Sequence, residues 1–150
     1  MTKRLIVAAL LLLTVAGCAG YRKELDVNPP FAPHRFRSYD LEVIWQAEQG
    51  ADGIHLAGTV VNRRDYFLHD LELTARLLDR EGKVLARETY TAFPTYIPPG
   101  TDAPFRMKLR TPPGKVERVR FSYVYWLTEA PPAFRGYDDV PYFGSFVSPP

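Results

Sequence analysis

The chain has 150 residues, 24% charged and 46% hydrophobic, with 19 Lys/Arg against 17 Asp/Glu and a single cysteine. That length suits one ordinary domain with a little to spare, and a net charge of only +2 argues against nucleic-acid binding, which calls for a strongly basic surface. One cysteine excludes an internal disulfide, so apolar burial must hold the fold; nine Tyr, nine Phe and 14 Pro favour strands and turns over long helices.

The first element in chain order is a targeting segment. Lys3 and Arg4 precede a largely apolar run over residues 5–15, and Ala16, Gly17 and Cys18 close it. A charged start, a short apolar middle and small residues before a break are the anatomy of a secretory signal. The run is about a dozen residues, where a bilayer span needs roughly 20, which argues against a permanent transmembrane helix. Val15-Ala16-Gly17-Cys18 resembles the lipobox of bacterial lipoproteins. The resemblance implies cleavage between Gly17 and Cys18, a diacylglycerol on the Cys18 thiol and an acyl group on its new amino group. An ordinary signal peptide that leaves Cys18 free is the alternative. A lone thiol in an oxidising compartment is a liability, however, and lipidation accounts for both its position and its solitude. One chain binds a membrane marginally, at about 0.8 kcal/mol per buried methylene, whereas two or three anchor it firmly. Ala19 stands where inner-membrane lipoproteins of many two-membrane bacteria carry Asp, so the resemblance implies the periplasmic face of the outer membrane. The cut leaves 133 residues with 17 basic and 17 acidic side chains, formally neutral.

Residues 18–38 read as the lipidated N-terminus and a tether. Asn28-Pro29-Pro30-Phe31-Ala32-Pro33 sustains neither a helix nor a central strand. Proline-rich chain extends at about 3.1 Å per residue, a reach of up to roughly 60 Å from the membrane. Packing of Phe31 and Phe36 on the domain is the competing reading and would shorten that reach.

Residues 39–128 carry period-two alternation, the mark of half-buried strands. Tyr39, Leu41, Val43, Trp45 and Ala47 share one face, and Ile54, Leu56, Gly58 and Val60 continue after a turn at residues 49–53. Leu71, Leu73, Ala75 and Leu77 point inward on a third strand, which a turn at Asp79-Arg80-Glu81-Gly82 returns as a fourth over residues 83–90. Ala103, Phe105, Met107 and Leu109 form a fifth, and Val119, Phe121, Tyr123 and Tyr125 a sixth, with room for a short seventh near residues 92–97. Six to seven strands without helical periodicity predict an all-β, antiparallel, immunoglobulin-like β-sandwich. Residues 129–150 hold five prolines among Tyr137, Tyr142, Phe143 and Phe146. Disordered segments are poor in aromatics, so this tail is expected to wrap at least partly onto the sandwich; docking on another protein is the alternative.

Residues 54–105 resemble the FxLYD-type domains, small immunoglobulin-like modules common in bacterial envelope proteins. The matching residues are Ile54-His55-Leu56-Ala57-Gly58-Thr59-Val60-Val61-Asn62, Leu77-Leu78-Asp79, Gly82-Lys83-Val84, Pro99-Gly100-Thr101 and Phe105, with Leu78 where an aromatic is typical. Gly58 suits a bend in its strand or a close approach of neighbouring backbone, and Asn62 suits closure of the break after its strand. The resemblance implies a fold and carries no catalytic residue.

Chemistry-bearing patterns are sparse. His34, His55 and His69 have no partner at metal-ligand spacing, although His55 and His69 could meet across a sheet. Asp138-Asp139 lacks the further ligands of a calcium loop, and Asp40 with Glu42 reads as the wet side of a strand. No Gly-x-Ser-x-Gly elbow or phosphate loop is present. No catalytic residue, no metal and no cofactor are expected beyond the lipid on Cys18. The aromatic surplus points instead to recognition: Trp126 and Tyr125 with Arg118 and Arg120, and Tyr96 in the proline-rich connection, have hot-spot composition. The preferred expectation is a non-enzymatic interaction module with an envelope protein partner. A binding module for a small ligand or cell-wall glycan is the alternative, and a hydrolase of unrecognised kind the third.

Overall fold

The computed structural model describes residues 23–26, 28–111, 116–129 and 140–150. Ten strands run in chain order: β1 (Glu24–Leu25), β2 (His34–Arg37), β3 (Leu41–Gly50), β4 (Gly53–Asn62), β5 (Phe67–Leu78), β6 (Val84–Tyr90), β7 (Tyr96–Ile97), β8 (Asp102–Leu109), β9 (Arg118–Thr128) and β10 (Tyr142–Ser148). They form two antiparallel sheets, β1-β2-β3-β4-β8 (sheet A) and β10-β9-β5-β6 (sheet B), with β7 added to β5. Counted from β3 with the two-residue β7 left out, the first, second and fifth strands share one sheet and the fourth, third, sixth and seventh the other. This is an immunoglobulin-like sandwich whose fourth strand pairs with the third. No helix among the described residues is long and apolar enough to cross a membrane.

The inward residues are those the alternation marks. Leu41, Val43, Trp45 and Ala47 of β3, Leu73, Ala75 and Leu77 of β5, all four inward residues of β8, and Val119, Phe121, Tyr123 and Tyr125 of β9 are buried. Tyr39 leaves its expected face and is exposed, because β3 begins two residues later. Gly82 has φ +88°, the left-handed turn conformation expected of it. Gly58 sits opposite Trp45 and Phe105, where a Cβ would strike the Ile44 carbonyl oxygen and approach Phe105 Cζ at 2.9 Å. A side chain there would separate three strands.

The tether boundary requires correction. β2 pairs with β3 from His34↔Trp45 to Arg37↔Glu42, and β1 pairs with β2 in turn. His34 and Phe36 are buried, His34 stacked on Trp45 at 5.3 Å and Phe36 on Phe146 at 3.9 Å. The sandwich edge has an apolar gap that two alternate residues of β2 fill, so residues 34–37 belong to the domain. At the other end of the chain β10 pairs with β9 along its whole length and sends Phe146 into the core against Phe121 and Trp45. The tail thus packs on the sandwich over residues 142–148, and the domain extends beyond 39–128 at both ends. Among the described residues seven strands of seven or more residues match the expected six to seven, and β1, β2 and β7 are short additions to them.

Candidate interaction face

Alternation along β9 turns Arg118, Arg120, Ser122, Val124 and Trp126 outward, onto the exposed face of sheet B. Register decides what they meet. Arg120 lies opposite Arg76 of β5, and Arg76 lies opposite Arg87 of β6. Adjacent strands are about 4.8 Å apart, so three arginine residues follow one another across the sheet in one row. Arg118 extends the patch, donating from Nη2 to the Arg80 carbonyl at 3.3 Å, and Arg76 Nη1 donates to Ser122 Oγ at 3.0 Å. Among the described residues no carboxylate lies within ion-pair distance of Arg76, Arg87, Arg118 or Arg120. Like charges directly opposite destabilise a sheet, so this row costs stability in isolation.

Charges around sheet A behave differently. Arg35 and Arg63 each hold Glu42 at 3.0 Å, Arg64 holds Asp40 at 3.2 Å, and Lys108 pairs with Asp52. Glu42 is buried beneath its two arginines, which corrects its reading as a wet-side carboxylate. A shallow depression of about 350 Å³ on this sheet is lined by Gln46, Glu48, His55, Ala57, Thr59, Pro104 and Arg106 among others. No buried polar side chain converges on it.

The expected recognition residues separate into three places. Arg118 and Arg120 join the row. Trp126 is half-buried further along the same face, opposite His69, whose ring lies 6.2 Å from Trp126 and 5.8 Å from Tyr96. Six residues of strand, about 20 Å, separate Trp126 from Arg120, so one compact Trp–Arg patch does not form. Tyr125 is a correction: as an odd-numbered neighbour of Trp126 it points inward, is 2% exposed and offers no surface. Arg76 and Arg87 belong to the patch and were not expected. Gly17 and Cys18, with the Asp138-Asp139 pair, lie outside the described residues.

His55 stands on sheet A, hydrogen-bonded to Asp52 at 3.3 Å, and His69 on sheet B. The two do not meet, and among the described residues no three His, Cys, Asp or Glu side chains gather to hold a metal ion.

Tyr125 instead builds a polar lock. Its phenol donates to Asp40 Oδ2 at 2.5 Å, while its ring stacks between Tyr123 and Tyr142. Burial, then the bond to Asp40, pushes the phenol well above its ordinary value near 10, and burial raises Tyr123 as well. In the folded state both therefore keep their protons at pH values where the unfolded chain loses them. Their contribution is complete below about pH 10 and falls as pH rises further, because unfolding then releases protons. Urea unfolding at pH 8 and pH 10.5 is expected to show this alkaline loss, with a smaller loss in Tyr125→Phe. That variant should also cost about 1.5–3 kcal/mol at pH 8, the worth of a hydrogen bond to a charged group.

No family model matches the chain, and no curated protein matches it. Among solved structures it is similar to a β-glucuronidase from glycoside hydrolase family 2, with 15% identity over 61% of this chain and 10% of that one, at a TM-score of 0.37. The chain spans about a tenth of that protein's length, and the likeness brings no residue assignment with it.

Proposed function

We propose that this protein is a lipid-anchored, non-enzymatic envelope lipoprotein whose β-sandwich is an interaction module. Its outer sheet B receives a protein partner that presents carboxylates. The row Arg120–Arg76–Arg87 carries the reading. A row of arginines with no carboxylate partner among the described residues is unfavourable alone and becomes favourable once carboxylates enter it, and Arg forms bidentate bonds to that group. The lipobox-like Val15–Cys18 segment and the likeness to FxLYD-type modules support an envelope location, with diacylglycerol and an N-acyl chain on Cys18 holding the protein at the periplasmic face of the outer membrane. No metal or soluble cofactor is needed for this role.

Gentle cross-linking in membranes followed by purification tests it. The wild-type chain is expected to bring down a defined partner, and Arg76→Glu with Arg120→Glu should reduce recovery at least tenfold while leaving the fold intact. Recovery as a lone monomer in both cases would count heavily against the proposal. Retention on cell-wall glycan with the same arginine dependence would assign the face to a sugar polymer instead. For the anchor, a fatty-acid analogue should label the wild-type chain and not Cys18→Ser; equal labelling of the two would sink the lipoprotein reading.

A further inference from the structure

The strands nearest the N-terminus fix which end of the sandwich leads to Cys18. β1 runs antiparallel to β2, with Glu24 opposite Arg37, and β2 meets β3 with Arg37 opposite Glu42. Lys23 therefore stands at the end of the sandwich that holds the β2–β3 turn (residues 38–40), the β4–β5 connection (63–66) and the start of β10. Five residue steps separate Cys18 from Lys23. Fully extended chain covers at most about 3.6 Å per residue, so the cysteine lies within about 18 Å of Lys23. A reach of roughly 60 Å is excluded once β1 and β2 are in the sheet.

That same end has its own surface character. Tyr39 is 51% exposed, Tyr66 38%, Tyr142 39% and Val140 68%. The Arg64 guanidinium lies 4.6 Å from the Tyr39 ring centroid and 5.6 Å from that of Tyr66. At the opposite end the turns are built from Ala51-Asp52 and Asp79-Arg80-Glu81-Gly82-Lys83, and the exposed large apolar side chains toward it are Phe31, Val84 and Val147, none of them a tyrosine. Tyrosine is the residue of the membrane–water interface, since its ring enters the headgroup layer while its hydroxyl stays wet. Arginine keeps its head in the same layer by snorkelling. Glu24, Asp40 and Asp65 sit among Lys23, Arg37, Arg63 and Arg64 at this end, so net charge is not what draws it to lipid.

We infer that the Tyr39–Arg64–Tyr66 end, with Tyr142 and Val140 beside it, rests directly in the headgroup layer of a bilayer, so that the sandwich stands upright on the membrane. The inference rests on the lipid-anchor reading. Short chain and aromatic end act together: the anchor holds the tyrosines against the surface, and the tyrosines set the tilt that a flexible linkage leaves open.

The test uses full-length acylated protein in phosphatidylethanolamine–phosphatidylglycerol vesicles containing headgroup-nitroxide lipid. Intact mass first establishes the lipid on Cys18. Because the only native thiol is then blocked, Asp65→Cys and Glu81→Cys each carry one fluorophore at opposite ends of the domain. Quenching is expected to be at least fivefold stronger at position 65 than at 81, and to persist in 0.5 M salt. Tyr39→Ser with Tyr66→Ser should reduce it at least threefold while lowering the urea midpoint only modestly, since the two rings lose their contacts with Arg64 but lie outside the core. Acylated protein with equal quenching at the two positions would overturn the orientation and leave the anchor standing. Protein whose mass shows no lipid would overturn the anchor, and the orientation with it.

Discussion

Phe36→Ala is expected to lower stability by about 3–5 kcal/mol, the range for deleting a fully buried aromatic ring. Phe36 is 1% exposed, stacks on Phe146 at 3.9 Å with an interplanar angle of 11°, and lies 6.3 Å from Tyr123. Its removal opens a cavity between β2, next to the edge of sheet A, and β10, the edge of sheet B, where the two rings stack on each other. Neighbouring strands cannot close that gap without breaking the His34↔Trp45 and Arg37↔Glu42 pairing. Urea unfolding followed by tryptophan fluorescence reads the effect, since Trp45 lies 5.3 Å from Phe146. With a urea slope of about 1–3 kcal/mol/M, the midpoint should fall by about 2 M. Phe31→Ala, five residues earlier and 39% exposed, serves as the control and should cost under about 1 kcal/mol. A cost below about 1 kcal/mol for Phe36→Ala would return residues 34–37 to the role of a spacer.

The contrast between Phe36 and the strands that alternation revealed shows what kind of information a sequence carries. β3, β4, β5, β8 and β9 each span eight or more residues with one face in the core and one in water, so periodicity is visible locally. β2 has four residues between Pro33 and Ser38, too short for a period to register, and it exists because β3 offers an unpaired edge and an apolar gap. β10 is longer, but only Phe146 and Ser148 of its inward residues are buried, and three prolines flank it. Pairing made both strands, and pairing is not a local property.

The same distinction runs through the interaction face. Arg118 and Arg120 were legible because they share a strand, whereas Arg76 and Arg87 join them only through register, which no single strand specifies. Tyr125 was misassigned for the opposite reason. Sequence adjacency to Trp126 suggested shared surface, yet consecutive strand residues point to opposite faces, and alternation with Phe121 and Tyr123 placed it inside. The row of arginines lies toward the end of β5 remote from Phe67, about 30 Å along the strand. If the tyrosine end rests on the bilayer, the row is presented away from it, where a partner has access.

Asn62→Asp is expected to be at least as damaging as Phe36→Ala, although it changes one atom. Asn62 ends β4 and is fully buried. Its Nδ2 donates to the carbonyls of Tyr66 at 2.7 Å and Ile97 at 2.9 Å, and its Oδ1 accepts from the Arg64 backbone N–H at 2.9 Å. Its own N–H and carbonyl bond Thr101 and Gly100. One amide thus ties the β4–β5 connection to β7 and to the turn before β8, linking both sheets at a place where water does not reach. An aspartate there keeps the acceptor, loses both donors and turns a negative oxygen toward two carbonyls. Breaking a buried polar arrangement in a way that leaves uncompensated charge costs about 3–5 kcal/mol. The pH dependence identifies the cause. Burial and the facing carbonyls disfavour the ionised carboxyl, so the folded variant holds its proton to higher pH than the unfolded chain does. Its deficit against wild type should therefore be largest above the ordinary aspartate value near 4 and shrink below it, where the protonated carboxyl regains one O–H donor. Asn62→Ala separates the two contributions: it strands the Tyr66 and Ile97 carbonyls and the Arg64 N–H, at about 1–3 kcal/mol each, without any dependence on acid pH. Equal pH profiles for the two variants would show that Asn62 acts by packing alone.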